Sequence, residues 1–369
     1  MKLAITEEQV ELGATLRRFF ADKSPSERVR HLMATAEGYD PAVWRQLAEQ
    51  LGVPGLAIPE EYGGAGFGMR ELVIVMEEAG RALACAPLLS VALAAQALLA
   101  CDDEEAKREL LPQIAAGRIA TVAVAEEDGR WAAEAIAATA ASAAGGHRLE
   151  GVKSFVIDGH TADLLLVLAQ APGGLSLLAV DGDAPALTRT LLPTMDQTRK
   201  LARLELAGTP ARLIGREGDG ERVLARLLDV AALALAAEQL GGAQRVLEMS
   251  VEYAKVRHQF GRPIGSFQAI KHKCADLLME IESARSAVLY AATAADENPA
   301  ELPVVAALAQ AYTSEAFFHA AGENIQIHGG IGFTWEHDAH LYFKRAKSSQ
   351  LLLGGPAHHR ERVAQLIGL

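Results

Sequence analysis

The residues best suited to chemistry stand in one basic segment, YAKVRHQFGRPIGSFQAIKH, at 253–272. Arg257 and Phe260 are three positions apart, so they share a face if the segment is helical. A guanidinium group there can grip a phosphate through two parallel hydrogen bonds, and an aromatic ring beside it can cover a flat ring. The alternative is a basic helix end that complements the helix dipole. Taken alone, the segment favours this structural interpretation.

Two glycine-rich stretches raise the question of a phosphate-binding loop, GGAGFG at 63–68 and GGIGF at 329–333. Neither has the GxGxxG pattern between a strand and a helix that dinucleotide-binding proteins share. The first lies between helical segments and predicts a flexible turn. The second ends a helix, where glycine serves as a C-cap and where free backbone N–H groups can bind a ligand.

The remaining side chains that could react indicate neither a catalytic group nor a metal site. The final loop between Ser349 and Pro356 has no group that takes up a proton at neutral pH, and no Ser/His/Asp or Cys/His arrangement stands out. Five histidines near the end of the chain lack zinc-ligand spacing, so they predict no metal site and are interpreted as solvated or capping residues. They are His328, His337, His340, His358 and His359.

Composition excludes several classes of function. The formal net charge of −12 argues against nucleic acid or an anionic membrane as the main partner. The longest apolar run is interrupted by Asp229 and Glu238, so no membrane span is expected. There is no signal peptide pattern at the start. The three scattered cysteines predict buried thiols rather than a disulfide framework, and therefore a cytoplasmic protein.

The elements that must position these residues fall into three regions. Residues 1–118 predict an α-helical domain, with a capping-box pattern at Thr6 and an Asp40–Pro41 helix start. Residues 119–222 hold short Val/Leu/Ile segments and predict a small antiparallel β barrel or sandwich. An Ala-rich stretch at 131–146 within it is ambiguous between a helix and a strand pair. Residues 223–369 predict long helices in a four-helix bundle.

Taken together, these segments resemble the acyl-CoA dehydrogenase family over nearly the whole chain. The resemblance rests on LGVPGLAIPEEYGGAGFG at 51–68, on AAEQLGGAQR and YAKVRHQFGRPIGSFQAIKHKCADL within 236–277, and on ENIQIHGGIGFTWEHDAHLYFKRAK at 323–347. The family fold has N-terminal helices, a β barrel and a C-terminal four-helix bundle, in the order of the three regions.

The resemblance implies FAD-dependent α,β-dehydrogenation of an acyl-CoA thioester. In the family a Glu removes the α-proton, the flavin accepts a hydride, and an electron-transferring flavoprotein reoxidises the flavin. An α-proton is very weakly acidic until the thioester carbonyl is polarised, so the base, the carbonyl donors and the flavin must be held together.

Both family positions for the base hold apolar residues here. Alignment without gaps places Leu353 at the usual position in the final loop, and Ala231 at the alternative position in the long bundle helix. Asp229 and Glu238 are nearby acids. Asp229 is two residues from the second position, about 200° round a helix, so it is a poor substitute. The resemblance therefore implies no catalytic residue in this chain.

The segments that contact a subunit's own flavin in the family also depart from the pattern. They read AEEDGRW at 125–131 and KSFVIDG at 153–159. Ala125, Trp131 and Ile157 replace hydroxyl-bearing residues. Contacts that the family makes to the neighbouring subunit's FAD are kept, although Gln259 replaces a hydroxyl residue. These matching positions are Arg257, Gln259, Phe260, Gln326, Gly329 and Gly330.

This asymmetry predicts the non-catalytic β subunit of an α₂β₂ acyl-CoA dehydrogenase, which lends contacts to FAD held mainly by a catalytic α subunit. Such enzymes occur in the family, notably in bacterial degradation of steroid side chains. One alternative is an autonomous homo-oligomeric dehydrogenase with an unusual base such as Asp229. Another is a redox-dead scaffold or acyl-CoA-binding protein without flavin.

Overall fold

A computed structural model describes residues 5–369 and divides them into two compact units. The first unit comprises the described residues up to Arg30, together with 69–84 and 232–369. The second comprises 31–68 and 85–231. Each unit therefore combines stretches that are distant in the sequence. The predicted division at 118 and 222 stays a prediction.

The N-terminal region is helical, as predicted, and its helix starts follow the expected caps. Thr6 accepts a hydrogen bond from the Gln9 backbone N–H, and the Gln9 side chain accepts one from Thr6 in return. The Asp40 carboxylate accepts from the backbone N–H groups of the turn that begins at Pro41. The helices are α1 (Glu7–Lys23), α2 (Ser26–Ala34), α3 (Pro41–Glu49), α4 (Met69–Arg81), α5 (Leu88–Leu99) and α6 (Glu104–Ala115).

The central region is a β barrel. Strand β4 pairs with β2, β2 with β3, β3 with β7, β7 with β5, and β5 with β4 again, which closes the ring. Strand β1 adds to β4, and β6 adds to β7. The strands are β1 (Ala120–Ala123), β2 (Thr139–Ala143), β3 (Gly146–Ile157), β4 (Leu164–Ala171), β5 (Gly174–Asp181), β6 (Leu187–Leu191) and β7 (Leu201–Ile214).

Of the predicted antiparallel barrel or sandwich, the barrel is confirmed, but it is not antiparallel throughout, because β1 runs parallel to β4 along its whole length and β2 also meets β4 in parallel. Alternation of apolar residues identifies a strand but not its direction, and no hairpin links β1 to β4. The ambiguous Ala-rich stretch contains a short 3₁₀ turn at Ala133–Ala135 and then β2, so its location outweighed its composition. The sequence did not indicate strand β6, because only every second side chain in it is partly buried and none is fully buried.

Long helices form the C-terminal region. Helix α9 packs against α8, α10 and α11, and its middle is buried on most sides, with Phe317, Ala320 and Ala321 inaccessible to solvent. The elements are α7 (Gly220–Val256), a hairpin of β8 (His258–Gln259) and β9 (Arg262–Pro263), α8 (Gln268–Glu297), α9 (Leu302–His328), α10 (Ala339–Leu351) and α11 (Pro356–Leu366).

Two helices of the first unit touch backbone to backbone. A Cβ on Gly80 of α4 would overlap the carbonyl oxygen of Glu238 in α7, and a Cβ on Gly241 would overlap the carbonyl oxygen of Glu77 in α4. One residue further on, a Cβ on Gly242 would collide with the ring of Phe317. The AAEQLGGAQR motif therefore allows α7 to pack closely against two neighbouring helices.

Replacing Gly241 by alanine should lower the unfolding free energy by about 3 kcal/mol, because the overlapping atom is a backbone oxygen that cannot rotate away. The matched control is Gly322→Ala in α9, where an added Cβ meets nothing within 4 Å. That change should raise stability by about 0.5–1 kcal/mol, since alanine restricts the unfolded chain. Thermal unfolding of both variants provides the measurement, and equal shifts would contradict the close crossing.

Candidate functional site

Two stacked rings bring together the segments that carry the predicted cofactor contacts. The rings of Tyr253 in α7 and His328 at the end of α9 stack with centroids 4.3 Å apart and an interplanar angle of 26°. The Arg257 backbone N–H donates to the carbonyl oxygen of Tyr253, one turn earlier, at 2.9 Å, and Gly329 directly follows His328. The end of α7 and the glycine segment therefore meet. The sequence motifs by themselves gave no sign of this stack.

The hairpin after α7 presents Arg257, Gln259 and Phe260 to solvent. Phe260 is 91% exposed and has a φ of +52°, a conformation that non-glycine residues rarely adopt. Its ring touches that of Phe267 edge-on, with centroids 6.1 Å apart. A strained, exposed aromatic residue is more typical of a binding site than of a solvated loop.

The glycine segment offers open backbone. Gln326, Gly329 and Gly330 are exposed, and a Cβ on either glycine would meet nothing within 4 Å. Gly329 has φ +62° and ψ −138°, a region available essentially to glycine alone. The predicted C-cap is confirmed. The expectation of free N–H groups is wrong for Gly329, whose N–H donates to carbonyl groups of the last helical turn.

The loop that follows the glycines is anchored on both sides. The His337 ring lies 4.3 Å from that of His328, and burial lowers the pKa of both imidazoles. The Asp338 carboxylate accepts hydrogen bonds from Arg30 at 2.7 Å and from the Ser26 hydroxyl at 2.6 Å. These contacts hold the glycine segment in position from within the same unit.

The usual base position lies in a tight connection between α10 and α11. Leu353 is 4% exposed and has a φ of +63°. Neither it nor its neighbours from Leu352 to Gly355 carry a group that exchanges a proton. The alternative position, Ala231, is completely buried within α7. Both positions therefore hold buried apolar side chains.

The two acidic residues near Ala231 in the sequence are Asp229 and Glu238, and both are buried. The Glu238 carboxylate is 2.5 Å from an Arg345 guanidinium nitrogen, and the two side chains are 8% and 5% exposed. A buried ion pair of this kind is a structural element, because removing either partner leaves an uncompensated charge. Asp229 is buried in α7, two residues before Ala231.

His359 contradicts the prediction of a solvated histidine. It is 2% exposed. Burial, assisted by repulsion from His358 and Arg362, lowers its pKa to about 4. His328 is also buried, and its Nδ1 bonds the carbonyl oxygen of Asn324 at 2.7 Å. Helical spacing alone could not reveal which faces these neighbours would cover.

In the second unit, the two segments matching the family's own-subunit flavin contacts lie side by side. The Ser154 N–H donates to the carbonyl oxygen of Ala125 at 2.9 Å. The Lys153 ammonium group bonds Glu126 at 2.9 Å, and burial lowers the pKa of this lysine. Ala125 is 1% exposed and Ile157 6% exposed. Trp131 is half-buried. The segments meet, but hydroxyl donors are absent from these three positions.

Two family models match the chain. They are the acyl-CoA dehydrogenase N-terminal domain over residues 6–118 and the acyl-CoA dehydrogenase C-terminal domain over residues 218–368. Acyl-CoA dehydrogenase IpdE2 of Mycobacterium tuberculosis is 41% identical over 357 residues, which cover 97% of this chain and 96% of that protein. The chain belongs to the acyl-CoA dehydrogenase family. Members of this family depend on FAD.

Solved structures of the family include similar chains in complexes. A chain of the ChsE4–ChsE5 complex from M. tuberculosis superposes with a TM-score of 0.90 at 32% identity, covering 100% of this chain and 99% of the other. A chain of a variant of the Tcur3481–Tcur3483 steroid ACAD gives 0.89 at 36% identity, covering 98% of each. The fold predicted from the resemblance is thus confirmed.

Among residues 5–369, no helix has a stretch long and apolar enough to cross a membrane. Within the same range, no group of three or more His, Cys, Asp or Glu side chains is arranged to hold a metal ion.

The buried His359 should make stability depend on pH. Its pKa is about 4 in the folded chain against an ordinary 6.5, so the unfolded chain takes up the proton first. The full stability is present above pH 6.5 and is lost as the pH falls towards 4, by about 3 kcal/mol at most.

Urea unfolding at pH 7 and pH 5 measures this effect. A His359→Leu variant should lose less stability between the two pH values than the wild type, whereas His272→Leu, at an exposed histidine, should behave as the wild type does. The same pH dependence in all three proteins would show that His359 titrates normally.

Proposed function

We propose that the chain is the non-catalytic subunit of a heteromeric acyl-CoA dehydrogenase. It pairs with a catalytic α subunit, in an α₂β₂ assembly, and lends contacts to the FAD that this subunit holds. The observation that carries the proposal is the buried apolar side chain at each base position, Leu353 and Ala231. Neither of these aligned positions therefore supplies a carboxylate that could remove the α-proton.

Glu238 does not replace the missing base. Its carboxylate is bound to Arg345 within the core of the first unit. Using it as a base would require breaking a buried ion pair, at a cost of several kcal/mol. This supports a division of labour in which the α subunit supplies the proton acceptor.

Two sets of residues are aligned with flavin contacts of the family, one with contacts to a subunit's own flavin and one with contacts to the FAD of the neighbouring subunit. The two sets fit FAD to different extents. Buried Ala125 and Ile157 cannot donate hydrogen bonds to a flavin of the same subunit. By contrast, the exposed Arg257 guanidinium can pair with a phosphate, the Phe260 ring can cover a flat ring, and Gly329 and Gly330 leave room for close backbone approach. When bound, FAD supplies the hydride acceptor. This chain binds and orients its outer edge.

Named relatives support a heteromeric assembly and a substrate class. Two similar structures are pairs of differently named chains, ChsE4–ChsE5 and Tcur3481–Tcur3483, and the second pair is a steroid ACAD. We therefore assign the complex to the oxidation of a steroid-derived or other lipid-derived acyl-CoA in the cytoplasm, with an electron-transferring flavoprotein as the electron acceptor.

Purification with and without a partner tests the proposal. The chain expressed alone should show no flavin absorbance, because one shell of contacts is missing. Co-expression with a homologue that carries a Glu in the final loop should give a yellow complex with one FAD per pair of chains. If the isolated chain instead holds one FAD per copy and oxidises an acyl-CoA, the proposal is wrong.

Within that complex, Arg257→Gln should weaken FAD binding about tenfold or more, because a charge-assisted contact to phosphate is lost. Lys255→Gln is the matched control, since it removes one exposed positive charge two residues earlier, in the last turn of α7. FAD content after dialysis is the measurement. If both variants retain the same amount of FAD, Arg257 does not contact the cofactor.

A further inference from the structure

A cavity of about 330 Å³ lies within the first unit, apart from the residues assigned to either flavin shell or to the base positions. Its apolar walls include Phe20 of α1, Val29 of α2, Leu83 just after α4, and Leu341 of α10, each at most 4% exposed. A volume of this size, walled by buried apolar side chains, suits a small organic molecule.

Most charges around the cavity are already compensated. Arg17 donates two hydrogen bonds to Glu78, at 2.5 and 3.0 Å. Arg81 makes a similar two-bond pair with Glu248. The third acid, Asp338, is bound by Arg30 and Ser26, as described above. These charged side chains are paired with one another, so none of them needs a ligand to balance its charge.

Arg245 differs from the other arginines that line the cavity. Its nearest carboxylate oxygens belong to Glu248 and Glu252, at 3.6 and 3.7 Å, which exceeds hydrogen-bonding distance. Both oxygens of Glu248 are engaged by Arg81. The Tyr342 hydroxyl also interacts with the guanidinium, so Arg245 is held by two loose ion pairs and one neutral group rather than by a two-bond carboxylate pair. The Arg245 side chain is 34% exposed, so its remaining donors are available to an occupant of the cavity.

The C-terminus of helix α4, which lies next to the cavity, does not need Arg245 as a cap. The last carbonyl groups of α4, from Glu78 to Arg81, accept hydrogen bonds from the backbone N–H groups of residues 82–84 and from the Tyr342 hydroxyl, the latter at 2.7 Å. A helix C-terminus otherwise leaves such carbonyls for basic side chains. The guanidinium of Arg245 is therefore not needed there.

We propose that this cavity binds a small organic carboxylate, with the carboxylate on Arg245 and the apolar body against Phe20, Val29 and Leu341. A guanidinium group offers two parallel donors to a carboxylate, and the apolar walls favour an occupant with a hydrocarbon body. The site is separate from the proposed flavin edge, so it stands whether or not the chain is a non-catalytic subunit.

Calorimetric titration of the full chain with sodium hexanoate tests the proposal. The wild type should bind one hexanoate per chain. Arg245→Gln should weaken binding about tenfold or more, while Lys271→Gln, at an exposed lysine of α8, should leave it unchanged. Thermal unfolding checks that each variant is folded. Absence of binding, or equal binding to both variants, overturns the proposal.

A second variant keeps Arg245 in place. Glu252 is 65% exposed and competes weakly for the guanidinium, so Glu252→Gln should tighten hexanoate binding by roughly two- to threefold. An unchanged affinity would mean that hexanoate sits elsewhere. Inorganic phosphate, titrated separately, should bind far more weakly than hexanoate. The reverse order would overturn the assignment of an occupant with an apolar body.

Discussion

Helix α7 can lie against its neighbours only because Gly241 and Gly242 have no side chains. Gly241 lets α7 approach the α4 backbone, and Gly242 leaves room for the Phe317 ring of α9. Four other features lie along the same helix: Ala231 at one of the aligned base positions, Glu238 in its ion pair, Arg245 at the cavity, and Tyr253 leading to Arg257. Displacing the helix at its two glycines would therefore move several sites together.

Burial separates the two sets of positions that were matched to the family. Leu353 and Ala231, which align with the family's base, are apolar and buried, while Arg257, Phe260 and Gly329, which align with contacts to a neighbour's cofactor, are exposed. The positive φ of Leu353 is a property of the backbone and supplies no proton acceptor. The side chain at such a position, not the backbone alone, decides whether it could act as a base.

The sequence was informative wherever a local rule determines structure. Asp40 followed by Pro41 marks a helix start whatever the surroundings, and the apolar barrel segments identify strands. Contacts between distant segments were out of reach. The direction of β1 relative to β4, the Tyr253–His328 stack and the burial of His359 each depend on how helices or strands assemble. Motif resemblance selected the candidate cofactor residues, and only the fold shows that two of their segments meet.

The ring of Phe260 has a consequence for how the chain exists in a cell. It stands at a hairpin tip, almost entirely in water, and covering such a ring releases about 2 kcal/mol. A chain whose hairpin is not covered keeps this exposed ring and the strained backbone that carries it. It is therefore more prone to aggregate than a chain whose hairpin is covered.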